Sequence, residues 1–198
     1  MQAVFSAIAG LLYLVAFSLY ILAVLRDRHL PAGTPGKIEP SKATWIIWAS
    51  LDTITISGMY VEGTVNGQIL GAVAGAWIVV VFALKYGTPG WTLLDKLCLS
   101  GAVVGIVFWN VFDSPILGVI ISLSVVFLGS IPTYVSAWKD PGRENKLAWV
   151  IFTISCVCAL IAVPQWTLAD ASQPITFFAV EAVMMYILFV RPCFLNNN

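Results

Sequence analysis

The chain has 198 residues, of which 60% are apolar or aromatic and only 10% charged, and its mean hydropathy is +0.92. A soluble domain carries about 25% charged residues, and ten Lys/Arg with ten Asp/Glu cannot cover a globule of this size in water. The composition argues against a soluble enzyme, a nucleic-acid binder or a disordered chain, and for an integral protein whose surroundings are the lipid bilayer.

A helix crosses the hydrocarbon core with roughly 20 apolar residues. Seven such stretches follow one another, at 2–25, 42–61, 67–86, 96–112, 114–138, 146–168 and 170–191. The first lacks a basic leading region and reads as a retained helix, not a cleaved signal. The fourth and fifth are parted only by Asn110 to Ser114. All ten basic residues fall in, or at the span ends flanking, the connections between spans one and two, three and four, and five and six, or at the end of span seven. The other connections hold Glu62, Asp113 and Asp170 and no Lys or Arg. The positive-inside rule then puts the N-terminus outside and the C-terminus in the cytoplasm, across the cell (inner) membrane.

Spans 1–3 and 5–7 carry an internal repeat. Tyr20-Ile21-Leu22-Ala23 matches Tyr134-Val135-Ser136-Ala137, the Lys42–Trp48 opening of span two matches Lys146–Phe152, and Gln68 matches Gln173. The offsets are 114, 104 and 105 residues, the first differing because the loop between spans one and two is longer. One connecting helix lets both triplets enter the membrane from the same side, so the repeat is parallel. The expected organisation is a first triple-helix bundle over 1–90, a connector over 91–113 and a second bundle over 114–198.

This arrangement resembles the SWEET and PQ-loop superfamily, which includes vitamin transporters of the nicotinamide riboside type. Ile131-Pro132-Thr133-Tyr134 looks like its Pro-Gln element, with Thr133 where Gln is expected. The resemblance implies an all-α membrane protein of seven helices arranged 3+1+3, moving solute by alternating access. Where the sugar facilitators of that family place an Asn in spans three and seven, this chain has Ala76 and Glu181.

Asp52 and Glu181 fall at mid-depth, where a charge costs roughly 2.5–3.5 kcal/mol. Each therefore faces a cavity or a partner, as a substrate-coordinating or proton-carrying group or as a hydrogen-bonded structural acid. Trp45, Trp48, Asp52 and Thr55 form one helical stripe, Trp149 opens the matching stripe of span six, and Gln173 shares a face with Glu181. Asp52, Glu181, Trp45, Trp48, Trp149, Thr55, Gln68 and Gln173 are the candidate substrate-binding residues. Pro132 and Pro174 interrupt helix hydrogen bonding and are candidate hinges. Gly67, Gly71 and Gly75 make a small-residue face for close helix packing.

Span seven has no lysine for a retinal Schiff base, His29 is the only histidine, and no nucleophile–base pair is visible. No cofactor, metal or catalytic residue is expected. The reading is a transporter of a small polar solute, vitamin-, sugar- or amino-acid-like, with a small-molecule substrate, no nucleic acid and room for a homo-oligomer. Its alternative is a non-transporting receptor or an accessory subunit.

Overall fold

A computed structural model describes residues 1–31 and 34–195. They form α1 (Gln2–Asp27), α2 (Lys42–Val61), α3 (Gly67–Tyr86), α4 (Leu93–Phe112), α5 (Pro115–Gly129), α6 (Ile131–Lys139), α7 (Lys146–Ala162), α8 (Leu168–Met185) and α9 (Arg191–Leu195). The described residues form an all-helical protein. Five stretches are long and apolar enough to cross a membrane: α1, α3, α4 from Asp95, α5 through α6, and α8 through Cys193. α2 is long enough but more polar, and α7 has 17 residues.

Local chemistry sets the ends. Ser41, Asn66, Thr92, Asn145 and Thr167 each cap a helix by accepting a backbone N–H, and Thr92 and Asp95 complete a reciprocal capping box. α7 stops at Ala162, short of the expected 168, because Val163 precedes Pro164 and is held extended (ψ 118°). The α4–α5 turn is tight: Asp113 takes a left-handed conformation (φ 46°), and Pro115 starts the next helix. Span five is broken at Ser130, since Pro132 lies in the first turn of α6 and has no N–H to continue the α5 ladder. α8, by contrast, runs through Pro174 and loosens only at Tyr186–Val190, one π-helical turn before α9.

The long helices pack in a closed ring. α1 lies against α3 and α7, α3 against α2, α2 against α5, α5 against α8, and α8 against α7; α4 stands outside against α5 and α2. At one end Gln2 Nε2 donates to the Val163 carbonyl (3.3 Å), the Gly67 N–H to Ser6 Oγ (2.7 Å) and Asn66 Nδ2 to Gln173 Oε1 (2.8 Å). At the other, Asn145 Nδ2 donates to the Leu19 carbonyl (3.1 Å), the Gly36 N–H to Asp140 Oδ2 (3.0 Å) and Arg191 to the Trp138 carbonyl (2.9 Å). The ten Lys/Arg belong to this second, basic end, and Glu62, Asp113 and Asp170 to the first, acidic one.

Polarity is inverted relative to a water-soluble bundle. Leu11, Leu22, Leu70, Val81 and Val103 are exposed on the outer faces, whereas Asp52, Thr55, Gln68, Ser122, Ser155, Gln173 and Glu181 are buried. That is the pattern hydrocarbon imposes, because it satisfies no polar group. Trp77 points outward, its indole donating to Thr53 Oγ1 (3.1 Å), and does not enter the interior.

The glycine face of α3 packs on α1. Gly67 and Gly71 meet the backbone of Ser6 and Gly10, and Gly75 lies under the Phe17 ring. A Cβ at Gly71 would stand 2.6 Å from the Gly10 carbonyl oxygen, which cannot move without shifting α1. Gly71→Leu is expected to lower stability in detergent by about 1–3 kcal/mol or more, read as a lower melting temperature, while Leu70→Ala on the exposed face leaves it nearly unchanged.

Candidate functional site

Inside the ring is a cavity of about 210 Å³. Every long helix of the ring contributes to its wall. Its inner part is formed by Tyr13 of α1, Asp52 of α2, Ala76 of α3, and Phe177 and Glu181 of α8. Trp45, Trp48, Tyr20 and Trp149 line it toward the basic end, where Glu39, Ser41, Ser136 and Glu144 form the mouth.

Asp52 is at the middle of α2 and turns inward because its stripe, with Trp45 and Trp48, faces the ring interior. Glu181 reaches the same cavity from α8, beside the Tyr13 phenol. Its Oε2 is buried and has no hydrogen-bond partner among the described residues. Ala76 of α3 also lines the cavity, a small apolar side chain in the same wall as the carboxyls. Cys156 does not line it; its Sγ accepts from Gln68 Nε2 (3.1 Å).

The aromatic groups form a connected wall. Trp45 and Trp48 have ring centroids 5.2 Å apart at 79°, and Phe17 meets Phe152 at 4.9 Å and 77°. Tyr13 stands between Phe152 (4.7 Å) and Phe177 (5.9 Å). The first two pairs are edge-to-face, Tyr13 and Phe152 are tilted and Tyr13 and Phe177 stacked, and such aromatic pairs contribute about 0.5–1.5 kcal/mol each beyond burial.

Three predicted residues lie outside the cavity. Gln68 and Gln173 are fully buried toward the acidic end, where Gln173 Nε2 donates to Gln68 Oε1 (3.1 Å) and Asn66 Nδ2 to Gln173 Oε1 (2.8 Å). Gln68 Nε2 also reaches Ser155 Oγ (3.4 Å), and Ser155 donates to the Ala9 carbonyl (2.7 Å). The amides bond each other because both sit near helix N-termini, above the level of the carboxyls. They tie four helices together at the closed end. Thr55, one turn beyond Asp52, is buried with an unpartnered hydroxyl and is likewise not part of the wall. Of the proposed hinges, Pro132 lines the cavity just after the Ser130 break, whereas Pro174 is packed inside α8.

Tyr13, Phe17, Phe152 and Glu144 are wall residues that the span-by-span reading passed over. Tyr13, Phe17 and Tyr20 recur at helical spacing in α1, a stripe that would have revealed the first two. Glu144 gave no such signal, lying in a turn beside two charged neighbours. At the mouth, Trp149 Nε1 donates to Glu144 Oε2 (2.8 Å), and Lys37 pairs with Glu39.

No family model matches the chain, and no curated protein or solved structure matches it either.

Burial raises the Glu144 carboxyl to about 7 from the 4.5 of an exposed glutamate, against the opposing effects of the Trp149 hydrogen bond and the Arg143 charge. A carboxyl whose pKa is raised on folding stabilises the fold fully below the unfolded value, and that contribution is lost as pH rises through the folded one. Wild-type protein is therefore expected to lose about 1–3 kcal/mol relative to Glu144→Gln between pH 4.5 and 8. Melting temperatures of the two proteins in detergent, compared across that range, provide the check.

Proposed function

We propose that the chain is a transporter of a small polar solute in the inner or plasma membrane, working by alternating access. The observation that carries this reading is the cavity itself. It lies inside a ring to which every long helix contributes, holds two carboxyls at mid-depth, extends to the basic end and is backed by a buried amide network at the acidic end. A solute path accessible from one side at a time has those features.

On this reading α1–α3 form one triplet and α5/α6, α7 and α8 the other, with α4 as connector: the 3+1+3 arrangement over 1–90, 91–113 and 114–198. Supporting it, the ring order α1-α3-α2 is followed by α5-α8-α7, and exchanging the triplets reproduces the same set of neighbours. Repeat mates also come together, as a twofold axis along the membrane normal requires. Gln68 bonds Gln173, and Trp45 and Trp149 line one cavity. The resemblance to SWEET and PQ-loop transporters belongs to the same proposal. Asp52 and Glu181 coordinate the solute, and Trp45, Trp48 and Trp149 form its route to the cytoplasm.

The orientation follows from the basic end facing the cytoplasm. In a background lacking the native cysteines, single cysteines beside Glu62 and Asp170 are expected to react with an impermeant thiol reagent applied to intact cells. Cysteines beside Pro35 and Gly142 are expected to react only after lysis. Labelling of all four from outside would refute seven crossings.

Transport is tested without choosing a substrate beforehand. Proteoliposomes incubated with a cell metabolite extract are expected to retain at least one solute above empty liposomes, as read by mass spectrometry. Asp52→Asn and Glu181→Gln are each expected to cut that uptake about tenfold or more, a loss of about 1.4 kcal/mol, with the proteins still folded in detergent. Absence of any enriched solute would favour a receptor or accessory subunit.

A further inference from the structure

We infer that the cavity takes a small organic cation of the alkylammonium type, held between the Asp52 and Glu181 carboxyls and the faces of the surrounding rings. This rests on reading the cavity as the solute site and names the chemistry of that solute.

Charge is the first argument. No Lys, Arg or His is among the residues lining the cavity, although four carboxyls are: Glu39, Asp52, Glu144 and Glu181. Of these, Glu39 is matched by Lys37 and Glu144 by the Trp149 indole. Neither arrangement reaches the inner pair. Glu181 is 4% exposed, and although the Tyr13 phenol stands beside it, its Oε2 has no hydrogen-bond partner among the described residues. A buried acceptor of this kind is costly unless something donates to it or neutralises it. A bound cation does both. An anion would meet two carboxyls with no compensating charge, and a neutral solute would donate hydrogen bonds but leave any ionised carboxyl uncompensated at mid-depth.

The rings supply the second argument. Tyr13, Phe17, Trp45, Trp48 and Phe177 wall the same space as the two carboxyls, Trp45 and Trp48 inclined at 79° and Tyr13 and Phe177 stacked at 28°. Aromatic rings attract a cation through their electron-rich faces, so a wall of this composition adds to the attraction of the carboxyls without adding charge.

The probe is choline, set against its uncharged carbon isostere, in which a carbon replaces the quaternary nitrogen at unchanged shape. Calorimetry on purified protein at pH 8 is expected to show choline binding at least tenfold tighter than the isostere. Glu181→Gln or Asp52→Asn is expected to weaken choline at least tenfold while leaving the isostere nearly unchanged, so that the preference shrinks. If choline binds no better than the isostere in wild-type protein, the inference is overturned, and this comparison needs no variant to fold. It is also overturned if both variants keep the full preference. Choline that binds but does not accumulate in proteoliposomes supports the cation site and refutes transport. Uptake of a neutral metabolite from the extract, with no preference for choline, supports transport and refutes the cation site.

Discussion

Asp52 and Glu181 cannot be solvated by hydrocarbon, and the helices carrying them are obliged to turn these groups away from lipid. α2 and α8 do so by facing the interior of the ring, and much of the remaining structure accommodates that choice. Ala76 leaves room opposite, Tyr13 supplies a neighbouring hydroxyl, and the aromatic side chains of α1, α2 and α7 fill the interior without adding charge. The outer faces are left to Leu, Val and Ile. Packing between helices then relies on shape, as with the glycines of α3 against the α1 backbone, since lipid gives apolar side chains no reason to prefer each other.

The two ends of the cavity differ in chemistry. At the acidic end, Asn66, Gln68, Gln173 and Ser155 satisfy one another across helices with neutral hydrogen bonds. At the basic end the contacts are loop contacts: the Gly36 N–H reaches Asp140, the Ile38 N–H reaches Asp27, and Glu39 and Ser41 sit at the mouth. Amides buried between helices open only if several bonds break together, whereas the loop contacts are separate from one another and exchange partners individually. The cavity is thus bounded by one cooperative closure and one adaptable rim.

The all-helical class and the mid-depth acids were legible because both are strong signals: long apolar runs, and charges where charges are expensive. Trp45, Trp48 and Trp149 followed from helical spacing. Gln68 and Gln173 share faces with the wall, but their positions close to helix N-termini put them at another level. A stripe fixes direction around a helix and leaves depth to be counted separately. The early end of α7 was present in Val163-Pro164, yet the apolar run continuing past it outweighed that signal. Glu144 owes its burial to how the α6–α7 turn folds over the cavity, a tertiary effect that no local pattern encodes.

The backbone irregularities are unevenly distributed. α1, α2 and α3 are continuous helices, and α1 and α3 touch backbone to backbone through Gly10, Gly67 and Gly71. The break at Ser130 and the π-helical turn at Tyr186–Val190 both fall in the other half, where that turn packs against α6. Missing or displaced backbone hydrogen bonds are where a helix bends most easily. Flexural compliance is therefore concentrated at the α5–α6 junction and just beyond α8, while α1, α2 and α3 keep unbroken hydrogen-bond ladders and bend as stiff rods do.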